Sequence, residues 1–405
     1  MTTPLYKKRF CPVNFNNTTL LIGIALFLAS FVFYLLNAFH LSPLFFASNH
    51  GPFFGADTVD ISNNMRVPTL HMDMRKHLLF SVVTESLVDV VGLVFRLSED
   101  RAIMVSLGIM SAANVTLAWW ILKRFVTSLA LATALAVAYG LTFSNIVFFS
   151  IPETYSVSNW FILTYFALLL AFRDIRSPWS AVALGAAAGV AGLFNPTLLS
   201  LSLVGVLYRW RWDELKGVIG YGVLTLLVAL PVCILPYAYV HGMENVEYVS
   251  NYTNEWASIS NLFDIREITL VTASFLLFSV VSPYMELAKM IDLNDLLGYA
   301  QSPLAIATLL LYLGIGLATI GQAVRHSDRL VLAILVWLGV MLAFFIYFNP
   351  RESLLYSSQV LFPLVLLAAR GLVNIPLPDR YKTALVASLA VLLALTNIPV
   401  LYSDI

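Results

Sequence analysis

Apolar stretches of eighteen or more residues recur from one end of this sequence to the other, and that recurrence limits the available folds more than any motif does. A backbone surrounded by hydrocarbon has no water to bond its N–H and C=O groups, so each stretch must satisfy them internally, as a helix does. Composition points the same way. Of the 405 residues, 60% are hydrophobic and 11% charged, and the mean hydropathy is +0.84, outside the range of soluble domains. The sequence therefore predicts an all-α integral membrane protein. Spans are expected at 19–41, 102–122, 127–148, 156–173, 179–193, 197–210, 217–239, 304–324, 329–348, 355–374 and 383–402, about 11 transmembrane helices in all.

The first of these follows MTTPLYKKRF, whose Lys7, Lys8 and Arg9 precede an apolar run as in a signal peptide. That run is too long for a signal core and lacks a small-residue cleavage site after it, so it reads as a permanent span. Cys11 and Cys233 are too few and too far apart to imply a disulfide framework or a metal cluster. The formal net charge of zero argues against a nucleic-acid partner, which would need a basic face.

Charge placement is more informative than charge balance. With the amino terminus in the cytoplasm, the inner loops hold Lys7, Lys8, Arg9, Lys123, Arg124, Arg173, Arg176, Arg209, Arg211, Lys216, Arg325, Arg329, Arg370, Arg380 and Lys382. The outer loops hold Arg66, Arg75, Lys76, Arg96, Arg101, Arg266, Lys289 and Arg351, so fifteen of the twenty-three cations lie inside and eight outside. Acids divide oppositely: only Asp174, Asp213, Glu214, Asp328 and Asp379 fall inside, leaving eighteen of twenty-three outside. Because Asp and Glu contribute little to orientation, that excess calls for another cause, such as acid/base chemistry on the outer face. The carboxyl terminus is then outside as well.

One step controls this count. Between Arg176 and Arg209 the apolar stretch is interrupted by Phe194-Asn195-Pro196-Thr197, and reading it as a single tilted span would invert everything downstream. Asn-Pro is a strong turn signal, and a hairpin keeps the later Lys and Arg residues on the cytoplasmic side.

Two outer segments are too long to be turns. The first, 42–101, opens with LSPLFFASNHGPFFGADTVD and closes on a run in which Glu85 and Asp89 stand four apart, the pattern of an interfacial amphipathic helix. The second, 240–303, contains TLVTASFLLFSVVSPYMEL, which parity requires to be re-entrant or interfacial. Together they are expected to roof a cavity within a single polytopic domain, residues 1–405. Neither a 20- to 50-residue repeat nor a low-complexity linker marks a separate domain.

Candidate chemistry collects on that face. GADTVD places Asp57 and Asp60 three apart, and HMDMRKHLLF brings His71, Asp73, Arg75 and His77 within seven positions. Carboxylate, imidazole and guanidinium together suit proton removal and phosphate binding. IPETYS adds Glu153 and Tyr155, and NPRESLLYSSQ adds Arg351, Glu352 and Tyr356. Each has an ordinary alternative: polar loops collect polar residues, and a carboxylate at a span end can simply reach the headgroups.

The order of these elements resembles the GT-C superfamily of membrane glycosyltransferases, which includes the protein O-mannosyltransferase type and bacterial relatives that use polyprenyl-phosphate sugars. The resemblance rests on an inner-tailed first span, an acidic residue in the opening outer stretch (Asp57), His77-Leu78-Leu79-Phe80 where the family has a motif like His-Pro-Leu-Phe, Pro152 to Ser156, and Glu352 to Ser357. It covers nearly the whole chain, although the proline of the second motif is missing. It implies transfer of a sugar from a polyprenyl-phosphate donor to a glycan, lipid or protein acceptor outside the cytoplasm, with Asp57 as general base. Arg351, assisted by Arg75 or His77, would stabilise the departing phosphate. His71, Asp60, Glu153, Tyr155, Glu352 and Tyr356 would line the substrate cavity. Asp60 and Glu153 are placed to position Asp57 or to hold a divalent cation, but no spacing demands a metal and no cofactor is fixed.

A lipid or small-molecule transporter is the competing class. It would be expected to carry ionisable residues at mid-membrane depth, and these spans are nearly free of charge. A scaffold would have no use for carboxylates concentrated on two outer loops. Sequons at Asn16, Asn17, Asn114 and Asn251 say little, since only Asn251 lies clearly in an outer loop. Without a cleaved leader or a retention tail, the chain is expected in a bacterial plasma (inner) membrane.

Overall fold

The computed structural model describes residues 17–47, 53–66, 77, 79–172, 177–209, 215–241, 257–283, 285–287, 289–326 and 329–403. These residues are 86% helical and form no strands. Fifteen α-helices are labelled here in chain order: α1 Asn17–Ala47, α2 Thr58–Arg66, α3 Phe80–Phe95, α4 Glu99–Leu122, α5 Leu129–Gly140, α6 Phe143–Phe148, α7 Thr154–Ala171 and α8 Pro178–Phe194. They continue with α9 Leu201–Arg209, α10 Leu215–His241, α11 Ile265–Ala273, α12 Pro303–Arg325, α13 Arg329–Phe348, α14 Ser353–Asn374 and α15 Asp379–Ser403.

Among the described residues, eight helices are long and apolar enough to cross a membrane: Asn17–Phe46, Glu99–Leu122, Thr154–Ala171, Lys216–Pro236, Pro303–Arg325, Arg329–Phe348, Pro350–Asn374 and Asp379–Ser403. Three more apolar helices are shorter, Leu129–Gly140, Pro178–Phe194 and Pro196–Arg209. Several starts are written in the sequence. Ser177 accepts from Trp179 N ahead of Pro178, and Ser302 accepts from Ala305 N ahead of Pro303. In both, a hydroxyl caps the first turn while proline occupies a position whose N–H would be unpaired anyway. The stretch 127–148, read from sequence as one span, is two helices. The chain breaks at Leu141 and Thr142, so α5 has 12 residues and α6 only 6.

At Asn195-Pro196 the chain doubles back. Asn195 Oδ1 accepts from Thr197 N at 3.1 Å, and Pro196 has no N–H with which to continue α8. A Cβ on Gly192 would lie 3.6 Å from Leu199 Cβ, and one on Gly205 would lie 3.4 Å from Leu184 Cδ1, so residues equidistant from the break face each other. The other side of α8 meets α10 unusually closely. Cβ atoms on Gly185 and Gly189 would come within 2.5 Å of Thr225 O and 2.7 Å of Ala229 O, an approach that only small residues permit.

Helix α14 is the buried centre of the bundle and carries a polar seam. Ser353 donates to Ser274 Oγ at 2.8 Å, Ser357 Oγ lies 2.6 Å from Ser144 Oγ, and Asn159 Nδ2 donates to Ser358 Oγ at 3.3 Å. Gln359 Oε1 lies 3.4 Å from Thr197 Oγ1. The apolar run of the second long segment packs against this seam. Helix α11 continues as a π-helical turn, Ser274–Phe278, and then leaves helical geometry inside the protein. Its exposed backbone groups are met by neighbours: Val280 O accepts from Phe143 N and from Asn397 Nδ2, and Val281 O accepts from Tyr299 OH. Asn397 also donates to Leu141 O at 2.9 Å and accepts from Ser282 N at 2.9 Å. Asn397→Leu strands Leu141 O and Ser282 N in a water-poor interior and leaves Val280 O only its bond from Phe143 N, and a loss of about 2 kcal/mol is expected in thermal or denaturant unfolding of the purified protein.

The two ends of the bundle differ in chemistry. One end gathers Lys123, Arg124, Arg370, Arg380 and Lys382. There Thr127 donates to Asp379 at 2.8 Å, while the Arg124 and Arg370 guanidinium groups lie over Trp120 and Phe125. The other end carries the carboxylates described next.

Candidate functional site

Three acidic residues far apart in sequence sit at helix N-termini on one end of the bundle. Asp57 immediately precedes α2, and its carbonyl accepts from Ile61 N at 2.9 Å, the first bond of that helix. Glu153 caps α7 with its own side chain, Oε2 accepting from Thr154 N at 2.6 Å. Glu352 closes the short turn Pro350–Glu352 that leads into α14. First-turn amides are unpaired within the helix and form the positive end of its dipole, so each position favours an anion.

Tyr155 ties the three together. Its ring is buried, and its phenol is close enough to feel the charges of Glu153, Glu352 and Asp57 as well as the phenol of Tyr356. Tyr356 OH donates to Glu352 Oε2 at 3.0 Å, its ring meets Tyr155 edge-on at 5.8 Å, and it stacks on Phe345 at 4.2 Å. Phe148 and Phe54 extend the row on the other side, with centroids at 5.7 Å from Tyr155 and 6.5 Å from Phe148 respectively. The result is an aromatic wall beside a group of carboxylates.

Elements of both long segments meet beside these residues. Phe54 N donates to Leu287 O at 3.1 Å, joining the stretch before Asp57 to the second segment. Farther along that segment, Arg266 pairs with Asp292 at 2.8 Å and Lys289 with Asp295 at 2.9 Å. The amide of Asn294, with help from Arg266, holds Asp292 below the usual carboxylate range, and the bond to Asp295 holds Lys289 above its ordinary value. Asp57 is therefore backed by a pinned loop.

Gly55 makes the junction possible. Its φ is +86°, and a Cβ there would lie 3.3 Å from Met290 Cε and 3.8 Å from Glu352 Cγ. Gly55→Ala is expected to cost about 1 to 2 kcal/mol through the left-handed backbone and to loosen the contact with Leu287. Faster proteolysis of the 257–303 segment, relative to wild type, is the measurable consequence.

Other predicted residues are placed less centrally. Asp60 is exposed in the first turn of α2, whose Ile61 and Met65 pack with Phe80, Val157 and Phe194. His77 Nδ1 lies 2.5 Å from Phe194 O, and because a carbonyl only accepts, that nitrogen is the protonated one. His77 is thereby fastened to the α8 break. Arg351 is exposed and makes no ion pair among the described residues. His71, Asp73 and Arg75 lie outside the described residues. Arg66, at the opposite end of α2 from Asp57, pairs with Asp100 and lies over Phe46 at 5.1 Å. Among the described residues no three His, Cys, Asp or Glu side chains form a metal-binding group.

Sequence reading missed Gly55 and Met290 as site neighbours, and it missed the buried amides Asn159 and Gln359. A glycine two residues before the key aspartate, and amides inside otherwise apolar spans, were the available signals. No family model matches this sequence, and no curated protein matches it significantly.

Proposed function

We propose that this chain is a GT-C-type membrane glycosyltransferase that moves a sugar from a polyprenyl-phosphate donor to an acceptor hydroxyl on the non-cytoplasmic face. One observation carries the reading: Asp57, Glu153 and Glu352 share a mouth with Tyr155 and Tyr356 although they come from three distant parts of the chain. These are the segments whose order resembles the family. Eleven crossings, formed by the eight long helices and the three shorter ones, give the bundle an inner amino terminus and an outer carboxyl terminus, as in a bacterial inner-membrane enzyme.

In this mechanism Asp57 accepts the proton of the acceptor hydroxyl, whose oxygen attacks the anomeric carbon. The bond from that carbon to the phosphate oxygen breaks, and polyprenyl phosphate leaves as an anion. Arg351, which makes no ion pair of its own among the described residues, is the cation assigned to the leaving group, with Arg75 or His77 assisting. The aromatic wall offers faces to the sugar, and the carrier tail lies in lipid beside the bundle. Glu153 and Asp60 position Asp57.

A transporter of lipid or small molecules is the second reading, favoured by the buried polar seam along α14. Vesicles containing the purified protein, a polyprenyl-phosphate hexose and a membrane extract as the source of acceptor hydroxyls separate the two. Transfer predicts hexose-dependent accumulation of free polyprenyl phosphate, measured by mass spectrometry, whereas movement of intact donor without its consumption would favour transport.

A further inference from the structure

Helix α13 has 20 residues, enough to cross the hydrocarbon of a bilayer, so its ends mark the two membrane surfaces. At the end nearer the carboxylates, Tyr347 O accepts from Ser258 N at 2.9 Å and from Asn261 Nδ2 at 3.5 Å, one residue before the helix stops. Residues 258–265 are thereby held at the level of that surface. Three large apolar side chains stand out from them: Ile259, Phe263 and Ile265 are 70%, 84% and 76% exposed. Between the last two, Asp264 is extended (φ −86°, ψ 112°), which sends Phe263 and Ile265 to one side, while its own carboxylate turns back to accept from Arg266 N at 2.8 Å. Leu262 instead packs against the core.

We propose that Ile259, Phe263 and Ile265 insert into the leaflet on the carboxylate side and anchor the second long segment to the bilayer. The occupant follows from continuity with the spanning helix beneath. Leu332, Val336, Val340 and Phe344 recur every four residues along α13 and are exposed, which makes them its lipid-facing stripe, and the three side chains carry exposed apolar surface on from the end of that helix. They stand at the depth where hydrocarbon begins, so the leaflet itself removes their surface from water without another chain. Charges keep to the base of the loop: Asp264 caps α11, and Arg266 pairs with Asp292 at 2.8 Å. A segment with its apolar tip in lipid and its charged groups at headgroup level has this arrangement. The anchor reaches the carboxylates through that ion pair, since Asp292 lies two residues after Met290, the neighbour of Gly55. It rests on the membrane character of the fold and not on the transfer reading.

Spin labels in the full chain, with Cys11→Ala and Cys233→Ala and reconstituted in phosphatidylcholine nanodiscs, test the proposal. Labels at Ile259→Cys, Phe263→Cys and Ile265→Cys should collide with oxygen about threefold more often than with a water-soluble nickel chelate, a preference of the same sign as at the lipid-facing reference Val336→Cys. Ile259→Ser, Phe263→Ser and Ile265→Ser combined should speed proteolysis of the 257–303 segment about fivefold in the same nanodiscs, because the anchor is lost while the core contact of Leu262 is kept. Preference for the nickel chelate at position 263 or 265 would place the loop in water, and shielding from both reagents would mean a protein partner. Either result overturns the proposal, as does unchanged proteolysis of the triple variant.

Discussion

Asp57→Asn lowers the rate of polyprenyl phosphate release by about three orders of magnitude, the scale of a lost general base, while the purified protein melts within a degree or two of wild type. The substitution keeps shape and removes only the capacity to take a proton. Asp57 is exposed, so the folded bundle loses little with its charge, and the neighbouring bond from Ile61 N runs to the backbone carbonyl, which the change leaves intact. The defect should fall on kcat rather than KM, because the donor is gripped through its phosphate and tail. Asp60→Asn, three residues along and equally exposed, removes a positioning group rather than the proton acceptor and should cost less than Asp57→Asn does. A transporter or scaffold would tolerate both changes alike. Full activity in Asp57→Asn would remove Asp57 from the chemistry and leave Glu153 and Glu352 as the acids to explain.

The largest stability effect is expected at Gly189. A Cβ there would stand 2.7 Å from Ala229 O and 2.8 Å from Val232 Cβ, and the first of these is backbone, which cannot rotate away. Gly189→Leu must therefore push α8 from α10 along their whole contact, where Gly185 and Gly192 are packed just as closely. Overpacking of this kind costs about 3 kcal/mol or more, against an association that depends on close backbone approach. Gly220→Leu on α10, where a Cβ meets nothing within 4 Å, should be nearly silent. Thermal unfolding in detergent, read beside size-exclusion monodispersity, distinguishes the two. The damage should also reach the other end of α8, since Phe194 O holds His77.

The helical, membrane-type character of the fold was legible because hydropathy over about twenty residues averages out local detail. The reversal at Asn195 was legible for a different reason: Asn supplies a cap and Pro removes a donor, a combination with few outcomes. The break at Leu141 and Thr142 was not. Both residues continue an apolar pattern, and the interruption depends on Asn397 and the end of the α11 segment meeting the chain there, contacts more than a hundred residues away. The site divides similarly. Asp57, Glu153, Tyr155, Glu352 and Tyr356 could be picked out as polar groups flanking spans, but their convergence depends on how α2, α7 and α14 pack. Arg351 shows the limit of such reading, because a motif can name a residue without fixing where its side chain points.

The account depends most on which side of the membrane the carboxylate mouth faces. In a variant with Cys11 and Cys233 replaced by Ala and Asp57→Cys introduced, a membrane-impermeant maleimide applied to intact cells should label position 57 without permeabilisation. Labelling only after the membrane is breached would place that mouth in the cytoplasm and contradict transfer on the far face.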